Sequence, residues 1–339
     1  MPWLNLCLLM AVVGSPVVLA VEASHPMHAS ASAFGLKSEA EVLDLPVSLA
    51  EDTLRKALDR ANVIATLTDP LGSAASGVAL LNVSAGKGPH KIEPELFTLL
   101  VRALNFCRWS EGIHGPLGGQ LNGLWGVRGA IDAMPTPEEI EVATASAACG
   151  NLILDDKAMT ANLAPGSRID LFGFAIGYAV DQAVDVLRAA GARNGYVRIG
   201  NVERAIGPGP KGPNGPGWPF ELPLLPRMLQ SERILLLDRA VAVRKIDDLI
   251  LGLGGEKWAP YVNQKRGRPG GDGVLLVAAS GEIAVDSEAL AVTMFTCGNR
   301  LGQSMLGVLT PSPSVLWLLG GGEGPPLAAE VRWSVVKKR

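Results

Sequence analysis

The sequence predicts an α+β fold, a two-lobed domain of mixed β-sheets flanked by helices. The 339 residues are 48% hydrophobic and 19% charged, a composition that supplies a large core and excludes disorder as the main state. Forty Gly and 24 Pro residues predict many turns, which argues against an all-helical bundle. The length fits one large domain or two closely packed lobes. The formal net charge is −3, without the excess of Lys and Arg that is typical of nucleic-acid-binding proteins, so we expect no nucleic-acid partner.

The first twenty residues have the pattern of a secretory signal peptide. An apolar run is followed by Val18, Leu19 and Ala20, which fit cleavage after Ala20 and define a signal peptide over residues 1–20. An uncleaved anchor is the alternative. Because no later run reaches about 18 uninterrupted apolar residues, we expect no membrane span in the mature chain. The sequence therefore predicts an exported protein located in the periplasm.

The mature chain divides into a linker and one domain. Residues 21–47 begin with a segment rich in Ser, Ala and Pro and are assigned to a linker, in which His25 and His28 would be solvated. Residues 48–335 are assigned to the folded domain.

Three cysteines remain after removal of the signal peptide. They are Cys107, Cys149 and Cys297, an odd number that cannot all pair within the chain. None has a CxxC or Cys/His neighbour, and two of them lie in apolar helical patterns. We therefore expect buried free thiols.

Periodicity and capping signals predict three helices and a hairpin in the first half of the domain. The predicted ranges are 49–62, 94–108 and 136–150 for the helices and 151–163 for the hairpin. Ser48 and Glu51 would form a capping box for the first helix, and Thr136 would be the N-cap of the third.

The stretch 167–201 combines a helix with a strand. Apolar residues at spacings of three and four follow Asp170 and stop at Gly191, after which Tyr196–Ile199 has the pattern of a strand. Asp170 would lie beside free N–H groups at the helix entrance, where a nucleotide or a metal-bound phosphate is easily held. An ordinary N-terminal cap gives the same pattern.

Five segments follow one another in the order and spacing of one family's motifs. They are SGVALLN from Ser76, SEGIHGP to LWG from Ser110, DLFGFAIGYAVD from Asp170 with Gly200-Asn201 after it, the strand from Trp218, and Ser287 to Gly298. Together they resemble the FAD:protein FMN transferase family, the periplasmic flavin transferases once called thiamine-biosynthesis lipoproteins. The resemblance implies a fold of that type and Mg²⁺-dependent transfer of FMN from FAD to a Thr or Ser hydroxyl of an exported partner protein, with release of AMP.

The resemblance also implies site residues. The FAD-binding positions fall on Asp170, Ile113, His114, Gly115, Ile176 and Tyr261. The metal positions fall on Gly173, Glu288 and Val292. Ile176 replaces a lysine of the family, Glu288 replaces an aspartate, and Val292 replaces a threonine and brings no oxygen. The resemblance therefore implies FAD and Mg²⁺ as ligands, although several of the residues that would bind them differ from those of the family.

These substitutions leave two hypotheses for the function. The first is the family reaction, and the second is a catalytically degenerate member that binds a flavin, another nucleotide or a protein partner without transfer. Five basic residues could form a wall that replaces Mg²⁺, or could be solvated loop charges; they are Arg244, Lys245, Lys265, Arg266 and Arg268. In the plainest alternatives, Asp170 is only a helix cap and Glu288 an exposed helix acid.

Overall fold

The computed structural model describes residues 26–72, 76–211, 216–223, 225, 228, 231–248, 251–253, 255–271, 273–309, 313–320 and 325–333. The predicted signal peptide over residues 1–20, and His25, lie outside these residues. Within the described ranges, no helix combines the length and the apolar character needed to cross a bilayer.

The described chain alternates helices with short and medium strands. The α-helices are α1 Val47–Thr68, α2 Gly77–Val83, α3 Pro94–Trp109, α4 Gly119–Leu124, α5 Pro137–Ser146, α6 Ala175–Ala189 and α7 Ala284–Leu306. The strands are β1 Met27–Ala33, β2 Leu36–Val42, β3 His90–Lys91, β4 Leu152–Asp155, β5 Thr160–Leu163, β6 Gly195–Ile199, β7 Val202–Ile206, β8 Trp218–Glu221, β9 Arg233–Leu236, β10 Ala240–Lys245, β11 Leu251–Leu253, β12 Glu256–Trp258, β13 Val262–Asn263, β14 Arg268–Pro269, β15 Val274–Gly281, β16 Ser314–Leu319 and β17 Leu327–Val331.

The main sheet has eight strands in the order β1-β2-β6-β7-β10-β15-β16-β17. Side chains alternate across it, as β10 illustrates. Ala240 and Ala242 belong to the core beneath α1, α6 and α7, whereas Val241 and Val243 pack on the opposite face with the β8–β9 hairpin. Arg244 is next in this alternation, so its side chain lies on the face covered by the helices. The α+β fold prediction is confirmed.

A second lobe, which we call the helical lobe, comprises residues 77–163. It contains α2 to α5 and the three-stranded sheet β3-β5-β4. Its core includes Leu81, Leu99 and Leu152, and continues beneath the loop before α6 through Leu171 and Phe174. That loop therefore lies between the two lobes.

The linker prediction is wrong for Met27–Val42. This segment forms β1 and β2, which pair with each other and extend the main sheet through β6. Strand pairing uses backbone groups, so a segment rich in Ser and Ala can join a sheet edge without a strong apolar pattern. Ala33, Ala40 and Val42 are at most 2% exposed, and His28 is a strand residue 3.5 Å from Glu39.

The predicted elements of the first half are largely confirmed. α3, the β4–β5 hairpin and the α6–β6 unit agree with the prediction, and Thr136 forms a capping box with Glu139 at the start of α5. α5 ends at Ser146 rather than near Gly150 and is followed by a 3₁₀ helix, Cys149–Asn151. The predicted capping box at Ser48 is wrong, because α1 begins earlier with Pro46 as its N-cap and no side-chain cap bond.

The expectation of three free thiols is also wrong. Cys107 and Cys149 form a disulfide between the end of α3 and the 3₁₀ helix, across 42 residues of sequence. A pairing over this distance leaves no local pattern, which is why the cysteine count alone could not show it. Cys297 is a free thiol, and burial raises its pKa to about 12.

Candidate functional site

A cleft of about 950 Å³ opens between the β6–β7 turn of the main sheet, the end of α1 and the loop before α6. One wall is formed by the β6–β7 turn, residues 199–202, and by Arg244 of β10. The opposite wall is the loop before α6 and the start of that helix, residues 171–176 without Phe174. Arg128 of the helical lobe, Asp248 and Tyr261 also line it.

Asp170 lies behind the first turn of this loop and is 1% exposed. Its carboxylate accepts two bonds from the Arg128 guanidinium, at 2.7 and 2.5 Å, one from the Asn122 amide at 2.9 Å and one from the Phe172 N–H at 2.9 Å. Burial raises the pKa of Asp170, but these donors outweigh it and hold the pKa below its usual value. Asp170 is therefore a buried anion that orients Arg128, and the N-cap position of α6 is taken by Phe174 instead.

Gly173 marks the point where three elements meet. Its φ of 86° is in the left-handed region, and a Cβ atom there would lie 2.7 Å from His114 Nε2 and 3.0 Å from Val292 Cγ2. Only glycine permits this close approach. The His114 ring stacks on Phe174 with centroids 4.7 Å apart, and burial, together with the charge of Arg244, lowers the pKa of His114 to about 3. His114 is therefore neutral near pH 7.

Ile113, His114 and Gly115 are all buried, and none of them lines the cleft. A Cβ atom at Gly115 would lie 2.6 Å from Cβ and Sγ of Cys107, so this glycine packs directly on the disulfide. These three residues, predicted from the resemblance to bind FAD, form the layer behind the cleft wall.

Glu288 lies on α7 and faces β10. Its Oε2 accepts the Gly177 N–H at 2.6 Å, and its Oε1 accepts a bond from Arg244 Nη2. Glu288 is 1% exposed, so the alternative of an exposed helix acid is wrong. Burial raises the pKa of Glu288, and the positive charge of Arg244 opposes this only in part. The pair is a buried ion pair at the edge of the cleft.

The predicted metal positions do not fit Mg²⁺. The Glu288 carboxylate is engaged by Arg244 and Gly177, and Val292 has no oxygen to offer. In the part of the chain that the structure describes, no three His, Cys, Asp or Glu side chains cluster in a way that could hold a metal ion. Mg²⁺ is usually held in proteins by one or two carboxylates together with waters and substrate phosphates, and the one carboxylate at the predicted positions already accepts hydrogen bonds on both oxygens.

The predicted basic wall reduces to one residue. Of its five members, only Arg244 lines the cleft. Lys245 pairs with Asp247 at 3.1 Å, and Lys265 pairs with Glu111 at 2.9 Å. Lys245 also lies 3.7 Å from Asp248, so the charges of both lysines are matched by neighbouring acids.

An apolar and aromatic surface faces the cleft beside these charges. Ile176 lines it, and the Phe172 ring lies 6.1 Å from the Tyr261 ring. The Arg128 guanidinium lies 5.6 Å above the Phe172 ring, within reach of a cation–π contact. The Tyr261 hydroxyl donates to Asp248 at 2.6 Å, and burial raises the pKa of Tyr261 well above its usual value. The hydroxyl of Tyr261 therefore stays protonated, and its bond to Asp248 holds the ring in place.

Sequence reasoning missed Arg128, Asn122, Phe172 and Asp248 as site residues. Arg128 had a usable signal, because it is the first Lys, Arg, Asp or Glu after Glu111 in an otherwise uncharged stretch. The other three are ordinary residue types in loops and helix ends, and only their positions around the cleft mark them.

The comparisons with known proteins decide the family. A family model described as the ApbE family matches residues 34–312, most of the chain. The chain belongs to the ApbE family. It is similar to the ApbE protein from Thermotoga maritima, with a TM-score of 0.80 and 23% identity over 93% of this chain and 100% of that one. It is also similar to the flavin transferase ApbE from Vibrio cholerae, with a TM-score of 0.76 and 20% identity over 91% and 98% of the two chains.

Curated ApbE relatives carry the name FAD:protein FMN transferase. The Vibrio cholerae protein is 23% identical over 287 residues, which is 82% of this chain and 84% of the relative. The Haemophilus influenzae protein is 24% identical over 220 residues, or 62% of each chain. The resemblance found in the sequence is thereby confirmed.

Proposed function

We propose that the cleft binds FAD and that this chain performs the reaction for which its relatives are named, moving FMN from FAD to a hydroxyl of another protein. In that reaction the acceptor hydroxyl loses its proton to solvent as its oxygen bonds to the phosphorus of the FMN half, the bond from that phosphorus to the bridging oxygen breaks, and AMP leaves with the bridging oxygen. The observation that carries the proposal is the cleft itself, which has a volume of about 950 Å³ and is lined at the family's positions by Gly173, Ile176 and Tyr261. Volumes of about 300–1,000 Å³ are typical of small-molecule sites.

The chemistry of the cleft wall supports this ligand. Phe172, Tyr261 and Ile176 offer an apolar surface to a planar ring system such as isoalloxazine. Arg128 and Arg244 offer guanidinium groups to phosphate oxygens. Their partner carboxylates, Asp170 and Glu288, are each 1% exposed, and Glu288 also lines the cleft. A phosphate in the cleft would bind the remaining N–H groups of these guanidinium groups.

A second candidate is a family member that binds a flavin, another nucleotide or a protein partner without transfer. It is favoured by Val292 and Ile176, which remove the oxygen and the charge implied at these positions by the resemblance. It is also favoured by the Arg244–Glu288 pair, which engages the carboxylate at the implied metal position.

One assay separates the two candidates. The full chain is incubated with FAD and with the exported proteins of its source, and AMP release and protein-bound flavin fluorescence are measured together. Equal amounts of both products support transfer, whereas FAD binding without AMP supports the second candidate. In that case we expect Ile176→Lys/Val292→Thr to restore AMP release, with Ile176→Met/Val292→Ala as the matched control without new polar groups.

We also infer that the protein is exported to the periplasm. The Cys107–Cys149 disulfide supports this, since such bonds persist in oxidising compartments, and so does the signal-like pattern of residues 1–20. Mass spectrometry of the protein from a periplasmic fraction tests it. A mature chain starting at Val21 is expected, and an intact start in a cytoplasmic fraction would contradict it.

A further inference from the structure

The cleft contains a cation of its own at the position where the resemblance implies a metal. Gly173, Val292 and Glu288 meet beside the loop before α6, and Val292 lies against Gly173. The carboxylate of Glu288 is satisfied there by a guanidinium rather than left open for an ion. The positive charge at this point of the cleft is therefore supplied by the chain.

The strand geometry fixes this guanidinium. Arg244 follows Ala240 and Ala242 on the face of β10 that is covered by helices, so its side chain is directed at α7. Nη2 donates to Glu288, and Nη1 donates to the Val243 carbonyl at 3.0 Å. The side chain is 9% exposed and lines the cleft. Arg244 is thus held in place before any ligand arrives.

A fixed guanidinium is suited to phosphate. Its planar N–H groups form directional, charge-assisted bonds to phosphate oxygens and carry a charge that does not depend on pH in the physiological range. Glu288 and Arg244 both line the cleft, and the two bonds to Glu288 and to the Val243 carbonyl use one N–H each of Nη2 and Nη1, so further N–H groups of the guanidinium remain for a ligand. A divalent cation would have to displace this pair in order to use the same carboxylate.

We propose that Arg244 takes the place of a divalent cation in this cleft, so that the phosphates of a dinucleotide such as FAD are held without metal. This inference rests on the proposed function, because it concerns how the same cleft holds its ligand. It differs from the Mg²⁺ requirement implied by the resemblance, and the unsuitable donor set at Glu288 and Val292 is its starting point.

Calorimetric titration of the full chain with FAD tests the inference, once in excess Mg²⁺ and once in EDTA. We expect dissociation constants within about 2-fold of each other. Binding that is more than about 10-fold tighter with Mg²⁺ would overturn the inference and leave the proposed function standing. Absence of binding in both buffers would overturn the proposed function, and the inference with it.

A double variant tests the role of Arg244 without leaving a buried charge unpaired. Arg244→Met/Glu288→Met replaces the ion pair with apolar side chains, a change that proteins often tolerate. We expect FAD binding in EDTA to weaken by about 10-fold or more, because a charged hydrogen-bond donor to phosphate is lost. Riboflavin, which has no phosphate, should bind this variant and the parent chain equally. Unchanged FAD binding in the double variant would overturn the inference.

The chain offers a matched control pair. Arg204 of β7 and Asp181 of α6 form another buried pair between the sheet and the helices, at 2.7 Å, and neither residue lines the cleft. Asp181 also accepts the N–H groups of Ala284 and Val285, and Arg204→Met/Asp181→Asn keeps a side-chain oxygen for one of them. FAD binding in this variant should match that of the parent chain. An equal loss of FAD binding in both double variants would overturn the specific role of Arg244.

Discussion

Two sides of the cleft hold the same pair of groups, but the pKa of the carboxyl group is shifted in opposite directions on the two sides. Asp170 with Arg128 and Glu288 with Arg244 are both carboxylate–guanidinium pairs, and both carboxylates are 1% exposed. The pKa of Asp170 is nevertheless lowered and that of Glu288 raised. Burial raises both, but Asp170 accepts four hydrogen bonds and Glu288 two, and the negative charge of Asp181 raises the pKa of Glu288 further. Hydrogen bonds and nearby like charges, in addition to the counter-ion, thus decide the pKa of a buried carboxylate.

The two arginines differ in how far their side chains are exposed to solvent. The Arg128 side chain is 33% exposed, while that of Arg244 is 9% exposed. Water can hydrate Arg128 and can reach its carboxylate if the guanidinium is lost. Arg244 has little such access, so the Glu288 side depends more strongly on the ion pair staying intact.

The largest expected effect is on stability when each cation is removed. Arg244→Met should lower the free energy of unfolding by about 3–5 kcal/mol, since it leaves Glu288 buried and unpaired. Arg128→Met should cost less, about 1–3 kcal/mol, because Asn122 and the Phe172 N–H remain on Asp170. Urea denaturation near pH 7 measures both. Equal costs would contradict the distinction between the two sides. Arg55→Met, which removes two exposed ion pairs on α1, provides a control with little effect on stability.

The disulfide should stabilise the Asp170 side. Cys107 packs on Gly115, and the next carbonyl, that of Pro116, accepts the Asp170 N–H at 2.9 Å. Removal of the disulfide in Cys107→Ser/Cys149→Ser should cost about 2–4 kcal/mol. Thermal unfolding with and without a reductant measures this. The unfolding temperature of the double variant should not change when a reductant is added. A parent chain whose unfolding temperature also does not change would contradict the prediction.

A third pair sharpens the rule about donors. Glu203 is 1% exposed, its Oε2 accepts from Arg198, and burial raises its pKa to about 7. Among the described residues, its Oε1 has no hydrogen-bond partner. The Glu203 carboxyl therefore binds its proton more tightly in the native state than in the unfolded state. This contribution of Glu203 to stability is complete below the unfolded pKa of 4.5 and is lost as the pH rises through about 7.

Glu203→Gln should therefore remove a fall in stability between about pH 5 and pH 8 of at most about 3 kcal/mol. Urea denaturation at both pH values measures the slope. A variant that keeps the full slope of the parent chain would show that Glu203 does not cause it.

The smallest expected effect concerns one donor to Asp170. Asn122→Ala removes the amide at 2.9 Å while Arg128 and the Phe172 N–H remain, so the pKa of Asp170 should rise and stability should fall by about 1–2 kcal/mol. Gln120→Ala is the matched control, because that amide donates to the Gly166 carbonyl at the surface and its loss should cost less than about 0.5 kcal/mol. Equal effects of the two changes would argue that Asn122 contributes nothing special to Asp170.

Local sequence signals determined several elements. The apolar spacing after Asp170, the stop at Gly191 and the strand that follows gave α6 and β6 correctly. The capping box at Thr136 and the first-turn proline of α3 were likewise readable, since each acts through neighbours within one helical turn. The order of five short segments also gave the family.

The tertiary structure alone decided what the cleft can do. Arg244 meets Glu288 across 44 residues, Arg128 meets Asp170 across 42, and Cys107 meets Cys149 across 42. Strand β2 depends in the same way on a distant partner, β6, for its hydrogen bonds, and β1 joins the sheet through β2. Contacts at such separations are set by the packing of whole elements, which periodicity and capping do not encode. The sequence thus determined which groups are present, and the fold determined that a guanidinium and a carboxylate neutralise each other where the resemblance implied a metal.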